Sequence, residues 1–293
     1  MSGVTRRGTL LGAGAGALAA LAGGIGVAEG VLPGRATLYR HLGLDGADGV
    51  VPEATGGRVE RGVLVSRARQ GRECGWSVAL PPGDPEGLPV AVVLHGRGND
   101  HASAFAPGYL ALDRFLAAAV AGGTPPFALA SVDGDETYWH ARADGDDPAA
   151  MVVDELLPLL RDRGLDTDRL GLAGWSMGGF GALHLAGLLG AGRVRAVAVM
   201  SPALWHDHRD TAPGAFDGRA DFEAVTVMGR QSRLAGVATR VDCGLGDPFC
   251  AATEDYVDGF AERPAGGFER GDHDLGYWRR TAPAQLEFLG AHL

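Results

Sequence analysis

The chain has 293 residues, 46% of them hydrophobic and 21% charged, a composition that supports one large buried core and excludes a disordered or fibrous chain. Its formal net charge of −10 argues against nucleic acid as a partner, because a polyanion requires a basic face. No Pro/Ser-rich linker divides the chain and no internal repeat is present, so one main domain is predicted.

The first element is not part of that domain. Arg6 and Arg7 precede an uncharged, Gly/Ala-rich run from Thr9 to Ala28. Paired arginines before a weakly apolar segment predict a twin-arginine-type export signal over residues 1–30, read by the twin-arginine export machinery. The protein is then exported to the cell envelope or the exterior, or stays membrane-tethered if the signal is not cleaved. Residues 31–74 read as an irregular lead-in with the first strand or strands, and residues 75–293 as the main domain.

From Gly75 onward, apolar strands alternate with helices. "GWSVALP" and "LPVAVVLHG" read as strands, the second apolar enough to be buried on both faces. "ALDRFLAAAVAGG" has helical spacing and a glycine stop, and "FALASVDG" is the next strand. "DPAAMVVDELLPLLRDRG" predicts a helix with Asp147 as N-cap, Pro148 in its first turn, Gly164 beyond its end and a kink at Pro158. Strand "RLGLAGWS", helix "MGGFGALHLAGLLG", strands "VRAVAVMSP" and "ATRVDCGLGD", and a last helix at "APAQLEFLGAHL" complete the series. Such alternation predicts an α/β fold: a mostly parallel central sheet with helices on both faces and its site at the carboxyl ends of the strands. Of the cysteines Cys74, Cys243 and Cys250, the last two bracket "GLGDPF", and a disulfide between them would clamp that loop in an oxidising compartment.

The chemistry is concentrated at "GWSMG". Ser176 follows a strand and precedes a helix, the context of a nucleophile elbow, where flanking glycines let strand and helix backbones approach. In this order of elements an acid and then a histidine follow the serine. His273, in the Gly-rich loop "GGFERGDHDLGYW", is placed to reach back over the sheet as the base. His184 falls inside the elbow helix, His292 is terminal, and His206 and His208 leave no room for an intervening acid. Asp247, in a Gly/Pro-bounded turn after a strand, is the chosen acid, with Asp242 inside the strand as the alternative. The oxyanion hole requires two backbone N–H groups: Met177, next after the serine, and Arg97 in "HGRGND", with Gly98 as the alternative and His95 organising that loop. No metal is predicted. The Cys and His spacings do not suit zinc, the His206/His208 pair lacks a third ligand, and "DGDETYWHARADGDDP" does not follow a calcium-loop pattern. The reaction needs no cofactor.

Together, "VVLHGRG", "DGDETYWHARADGDDP", "LAGWSMGGFGAL", "VMSPALW" and "GDHDLGYWRR" resemble the putative esterase, or esterase D, branch of the α/β-hydrolases, over about Gly75 to Leu293. That branch includes S-formylglutathione hydrolases, feruloyl and enterobactin esterases, and mycolyltransferases. The resemblance implies an exported serine esterase working through Ser176, His273 and Asp247, with Tyr138, Trp139 and Trp205 lining the substrate pocket, or each packed instead as a core aromatic. The substrate is a small-molecule, lipid or sugar ester. Two other readings share the fold: an acyltransferase of mycolyltransferase type, with a sugar or lipid hydroxyl as acceptor, and a non-catalytic secreted binding module. The export signal sets the chain apart from the cytoplasmic S-formylglutathione hydrolases.

Overall fold

Eight strands form one sheet: β1 (Arg58–Ser66), β2 (Arg72–Leu80), β3 (Pro89–Leu94), β4 (Ala128–Val132), β5 (Asp166–Trp175), β6 (Val194–Met200), β7 (Ala238–Gly244) and β8 (Ala265–Glu269). They come from a computed structural model that describes residues 41–43 and 45–293. The predicted export signal and the residues after it up to position 40 lie outside the described residues. The strand order is β1-β2-β4-β3-β5-β6-β7-β8. β2 pairs antiparallel with β1 and β4, and every pairing from β4 to β8 is parallel. The 31–74 lead-in therefore contributes β1 and the start of β2.

The helices explain why the central strands have no polar face. In β3, Val90, Val92 and Leu94 face one apolar layer and Ala91 and Val93 the other. The first layer holds α2 (Pro148–Met151, Val152–Leu156 and Leu157–Arg161) and α3 (Met177–Leu189). The second holds α1 (Leu112–Ala121) and α6 (Leu275–His292). A strand covered on both sides alternates nothing, which is why period-2 patterning is missing from these runs. Two shorter helices, α4 (Arg219–Val225) and α5 (Cys250–Asp258), follow β6 and β7 in the chain. Among the described residues no helix is long and apolar enough to cross a membrane.

Local chemistry sets several boundaries. The Asp147 carboxylate accepts from Ala150 N–H at 2.9 Å, capping α2 as predicted, with Pro148 at its first position. At Pro158, where a kink was predicted, the preceding turn Val152–Leu156 is instead wound as a π-helix, so the helix widens just before the residue that has no N–H to donate. Elements also arise where the sequence marked none: α4, α5 and β8 are all short.

His184, on α3, is buried with its ring parallel to Phe180. Burial, with smaller repulsion from His140 and the Arg233 and Arg230 guanidiniums, pushes its pKa down to about 4. The unfolded chain takes up this proton near pH 6.5, whereas the folded chain refuses it until about pH 4. Its neutral burial is therefore tolerated fully above pH 6.5, and stability falls by about 3 kcal/mol as pH drops through that window. His184→Gln is expected to flatten the acid limb of the stability curve, measured by urea unfolding at pH 7 and pH 4.5. An acid limb as steep as the wild type's would show that another group controls it.

Candidate active site

The elbow begins with a conformation side chains avoid. Ser176 sits at φ 55°, ψ −122°, between the end of β5 and the start of α3. A left-handed φ at a non-glycine residue costs about 1–2 kcal/mol, so the surroundings must impose it. They do so by close approach. A Cβ on Gly174 would lie 2.2 Å from the Gly178 carbonyl oxygen, and one on Gly178 would lie 1.9 Å from the Leu94 carbonyl oxygen. On Gly179 it would meet the Pro202 Cα at 2.9 Å. The strand, the helix and the 200–203 segment thus touch backbone to backbone around the serine. Ser176 N–H donates to the Met200 carbonyl at 3.1 Å, and Ala203 N–H donates to the Ser176 carbonyl at 3.0 Å.

The structure brings Ser176, His273 and Asp247 into one hydrogen-bonded relay. Ser176 Oγ is 2.9 Å from His273 Nε2, and His273 Nδ1 is 2.8 Å from Asp247 Oδ2. Asp247 is buried, in the turn between β7 and α5, and its other oxygen accepts from Phe249 N–H at 2.8 Å. His273 is 22% exposed, enough to meet a ligand. Its ring lies between Phe249 and Trp278, each edge-on at 5.2 and 5.1 Å. A carboxylate facing Nδ1 fixes the tautomer with Nδ1–H, leaving Nε2 free to accept a proton from Oγ. Asp242, the alternative acid, points elsewhere: it binds Arg240 and the Gln285 amide, the latter at 2.6 Å.

Met177 opens α3, and the N–H groups of a first helical turn have no carbonyl of their own helix to bond. In the 95–99 loop, Asn99 N–H closes a turn onto the Gly96 carbonyl at 3.2 Å. Among the described residues no acceptor takes the N–H of Arg97 or of Gly98, so both donors considered from the sequence remain open. The Arg97 guanidinium is occupied with Glu136 at 2.8 Å. His95 is fully buried; Nε2 accepts from Gly134 N–H at 3.0 Å and Nδ1 donates to the Gly96 carbonyl at 2.9 Å. It ties the loop to the β4 end.

Two expectations, on Trp139 and Tyr138, are corrected, and the pairing of Cys243 with Cys250, left open by the sequence, is answered. Trp139 does not line a pocket. It is 1% exposed, held between Gly134 and Gly181, and its indole N–H donates to the His95 carbonyl at 3.2 Å. It braces the loop that carries Arg97. Tyr138 is also buried, packed among Phe180, Trp205 and Phe216, so only Trp205 of the three is partly exposed beside the site. Cys243 and Cys250 are not bridged: both are buried thiols, and Cys250 hydrogen-bonds the Cys243 side chain. That contact and burial push the Cys243 thiol well above its ordinary pKa.

The other polar residues that drew attention have structural partners. His206 pairs with Asp255 at 2.8 Å on the surface, and His208 lies against Phe222. Within "DGDETYWHARADGDDP", Asp146 forms a buried ion pair with Arg69 at 2.8 Å. Sequence reasoning missed Phe249 and Trp278, which flank the imidazole. The only signal was proximity, since Phe249 follows Asp247 by two residues and Trp278 follows His273 by five.

Comparisons with known proteins bear on the family and the fold. The family model described as "Putative esterase" matches residues 67–289. Comparison with curated proteins gives no match. Among solved structures, a ferulic acid esterase superposes with a TM-score of 0.69 at 22% identity, covering 80% of this chain and 99% of its own. An S-formylglutathione hydrolase from Agrobacterium tumefaciens gives 0.64 at 18% identity, over 83% and 98%. The enterobactin esterase of Shigella flexneri gives 0.62 at 20%, over 82% of this chain and 61% of its own. At such identities these likenesses speak for the fold, the mostly parallel sheet of the α/β-hydrolases, and the family match spans most of the chain. The chain belongs to the "Putative esterase" family, on the fold of the α/β-hydrolases.

Proposed function

We propose that the protein is an exported serine esterase that cleaves its substrate through an acyl-enzyme on Ser176. The observation that carries this reading is the Oγ–Nε2–Nδ1–Oδ2 relay, with separations of 2.9 and 2.8 Å. His273 Nε2 takes the hydroxyl proton as Ser176 Oγ attacks the ester carbonyl. Asp247 stabilises the resulting imidazolium and holds its orientation. The oxyanion is held by N–H groups of Met177 and of Arg97 or Gly98, fixed before the reaction starts. The C–O bond to the alcohol then breaks, and His273 returns the proton to the leaving oxygen. Water attacks the acyl-enzyme with His273 again as base, releasing the acid and restoring Ser176.

The test is to mix the protein with a slowly deacylating ester, quench in acid and digest. The acyl mass is expected on the peptide carrying Ser176; an adduct elsewhere, or none with ester turnover intact, rejects the mechanism. Export rests on Arg6 and Arg7 before the uncharged run. Replacing both by lysine is expected to keep the protein in the cytoplasm, and unchanged export would reject the twin-arginine reading.

A further inference from the structure

The aromatic wall beside the relay has a front and a fastened back. Trp205 and Phe249 form the front: both are partly exposed, their rings 5.3 Å apart, and Phe249 lies against His273. Behind Trp205 is Phe216, 6% exposed. Its ring is 6.1 Å from that of Trp205, 5.8 Å from Tyr138 and 5.7 Å from Phe180, which is one helical turn beyond Ser176 and donates its N–H to the Ser176 carbonyl.

Phe216 belongs to no helix or strand. It sits in the segment 211–218, between a 3-10 turn, His208–Asp210, and α4. Backbone without a ladder must be held by other groups. Ala215 N–H donates to the Ala212 carbonyl at 3.0 Å and Asp217 N–H to Asp221 Oδ2 at 2.8 Å, and the remaining links come from one loop, residues 140–143. Arg142 Nη1 donates to the Ala215 carbonyl at 2.8 Å, and Nη2 donates to the Gly214 carbonyl at 3.1 Å and to Asp217 at 2.7 Å. Ala143 N–H donates to Asp217 Oδ2 at 2.6 Å. His140 Nε2 reaches the Ala215 carbonyl at 3.1 Å, and its ring lies nearly parallel to that of Phe216, 14° off at 5.3 Å. The links bracket Phe216 on both sides, at Gly214, Ala215 and Asp217.

We propose that Phe216 is the stop that limits how long an acyl group the site accepts, and that Arg142 and His140 are positioning residues that hold it in place. The proposal rests on the reading of Ser176 as the nucleophile. Phe216 is buried and packed against Trp205, Tyr138 and Phe180, so an acyl group long enough to reach past Trp205 would meet a filled aromatic layer, and overpacking such a layer is costly. A stop on an unsupported segment would yield to a long substrate. One anchored on either side does not, so the acyl limit depends on the anchors as well as on the ring.

The experiment compares kcat/KM for p-nitrophenyl butyrate and octanoate in the full chain and in Phe216→Leu, Arg142→Ala and Arg142→Lys variants, each checked by thermal melting. In Phe216→Leu the octanoate-to-butyrate ratio is expected to rise about tenfold, the discrimination that one or two methylenes provide in an apolar pocket. Arg142→Ala is expected to raise it by a smaller factor with Phe216 intact, and Arg142→Lys to restore part of the limit. An unchanged ratio in folded variants, or an equal fall for both esters, overturns the stop. If Phe216→Leu does not fold, the Arg142 pair decides. Labelling of the wild type with an alkyl fluorophosphonate separates the two readings. Label on Ser176 with an unmoved ratio sinks the stop alone, whereas no label and no ester turnover sinks the nucleophile reading and this proposal together.

Discussion

Ser176→Ala is expected to lower kcat for p-nitrophenyl acetate by roughly 10⁴-fold or more, because the relay has no second oxygen to attack with. His273 Nε2 would then face a methyl group, and no acyl-enzyme forms. His273→Ala should fall by a similar factor, and Ser176→Ala/His273→Ala no further than either alone, since the residues act as one unit. Asp247→Asn tests a different link. The amide preserves the shape of a buried side chain but offers an N–H where His273 Nδ1 also carries one, so the wrong tautomer is favoured. A fall of about 10³–10⁴-fold at unchanged melting temperature is expected. Steady-state kinetics beside circular dichroism measures all four. Ester hydrolysis surviving in Ser176→Ala would remove the elbow from the mechanism.

Gly178→Ala has the largest expected structural effect. Its new Cβ would stand 1.9 Å from the Leu94 carbonyl and 2.7 Å from that of His95. Both are backbone atoms, Leu94 the last residue of β3 and His95 the next, its carbonyl bonded to the Trp139 indole, and they cannot swing aside as a side-chain tip would. The elbow must shift or β3 must, and either moves Ser176 relative to the loop carrying Arg97. Destabilisation of more than about 3 kcal/mol, at the top of the range for overpacking, is expected with loss of activity. Gly192→Ala is the control: a Cβ there meets nothing within 4 Å. Chemical denaturation of the pair measures the difference, and equal stabilities would show that the elbow backbone is looser than these distances imply.

The succession of elements could be read because central parallel strands are buried on both faces and leave continuous apolar runs. "PVAVVL" and "RLGLAGW" needed no partner to be recognised. The elbow was equally plain, since its requirement is local: a strand, a tight turn and a helix, with glycine where backbones meet. Short elements such as β8, "AGGFE", were hidden because five residues with two glycines carry no periodicity. The π turn before Pro158 was hidden for another reason: the sequence shows that an N–H is missing there but not how the helix takes up the strain.

By itself, then, the sequence determined what depends on neighbours along the chain: the alternation of strand and helix, the caps, and a serine on an elbow with a histidine and an aspartate placed downstream in loops. Contacts between distant segments were decided only by the tertiary structure. It turned Asp242 toward Arg240 and Gln285 and Asp247 toward His273, although the two acids are only five positions apart. It buried Trp139 as a brace under His95 rather than leaving it at the pocket, and it left Cys243 and Cys250 as neighbouring thiols. It also set Phe216 behind Trp205 with Arg142 fastening it, across 74 residues of chain. The physical reason is the same in each case. Side-chain direction and burial follow from which surfaces meet when the layers close on the sheet, and a linear pattern does not carry that information.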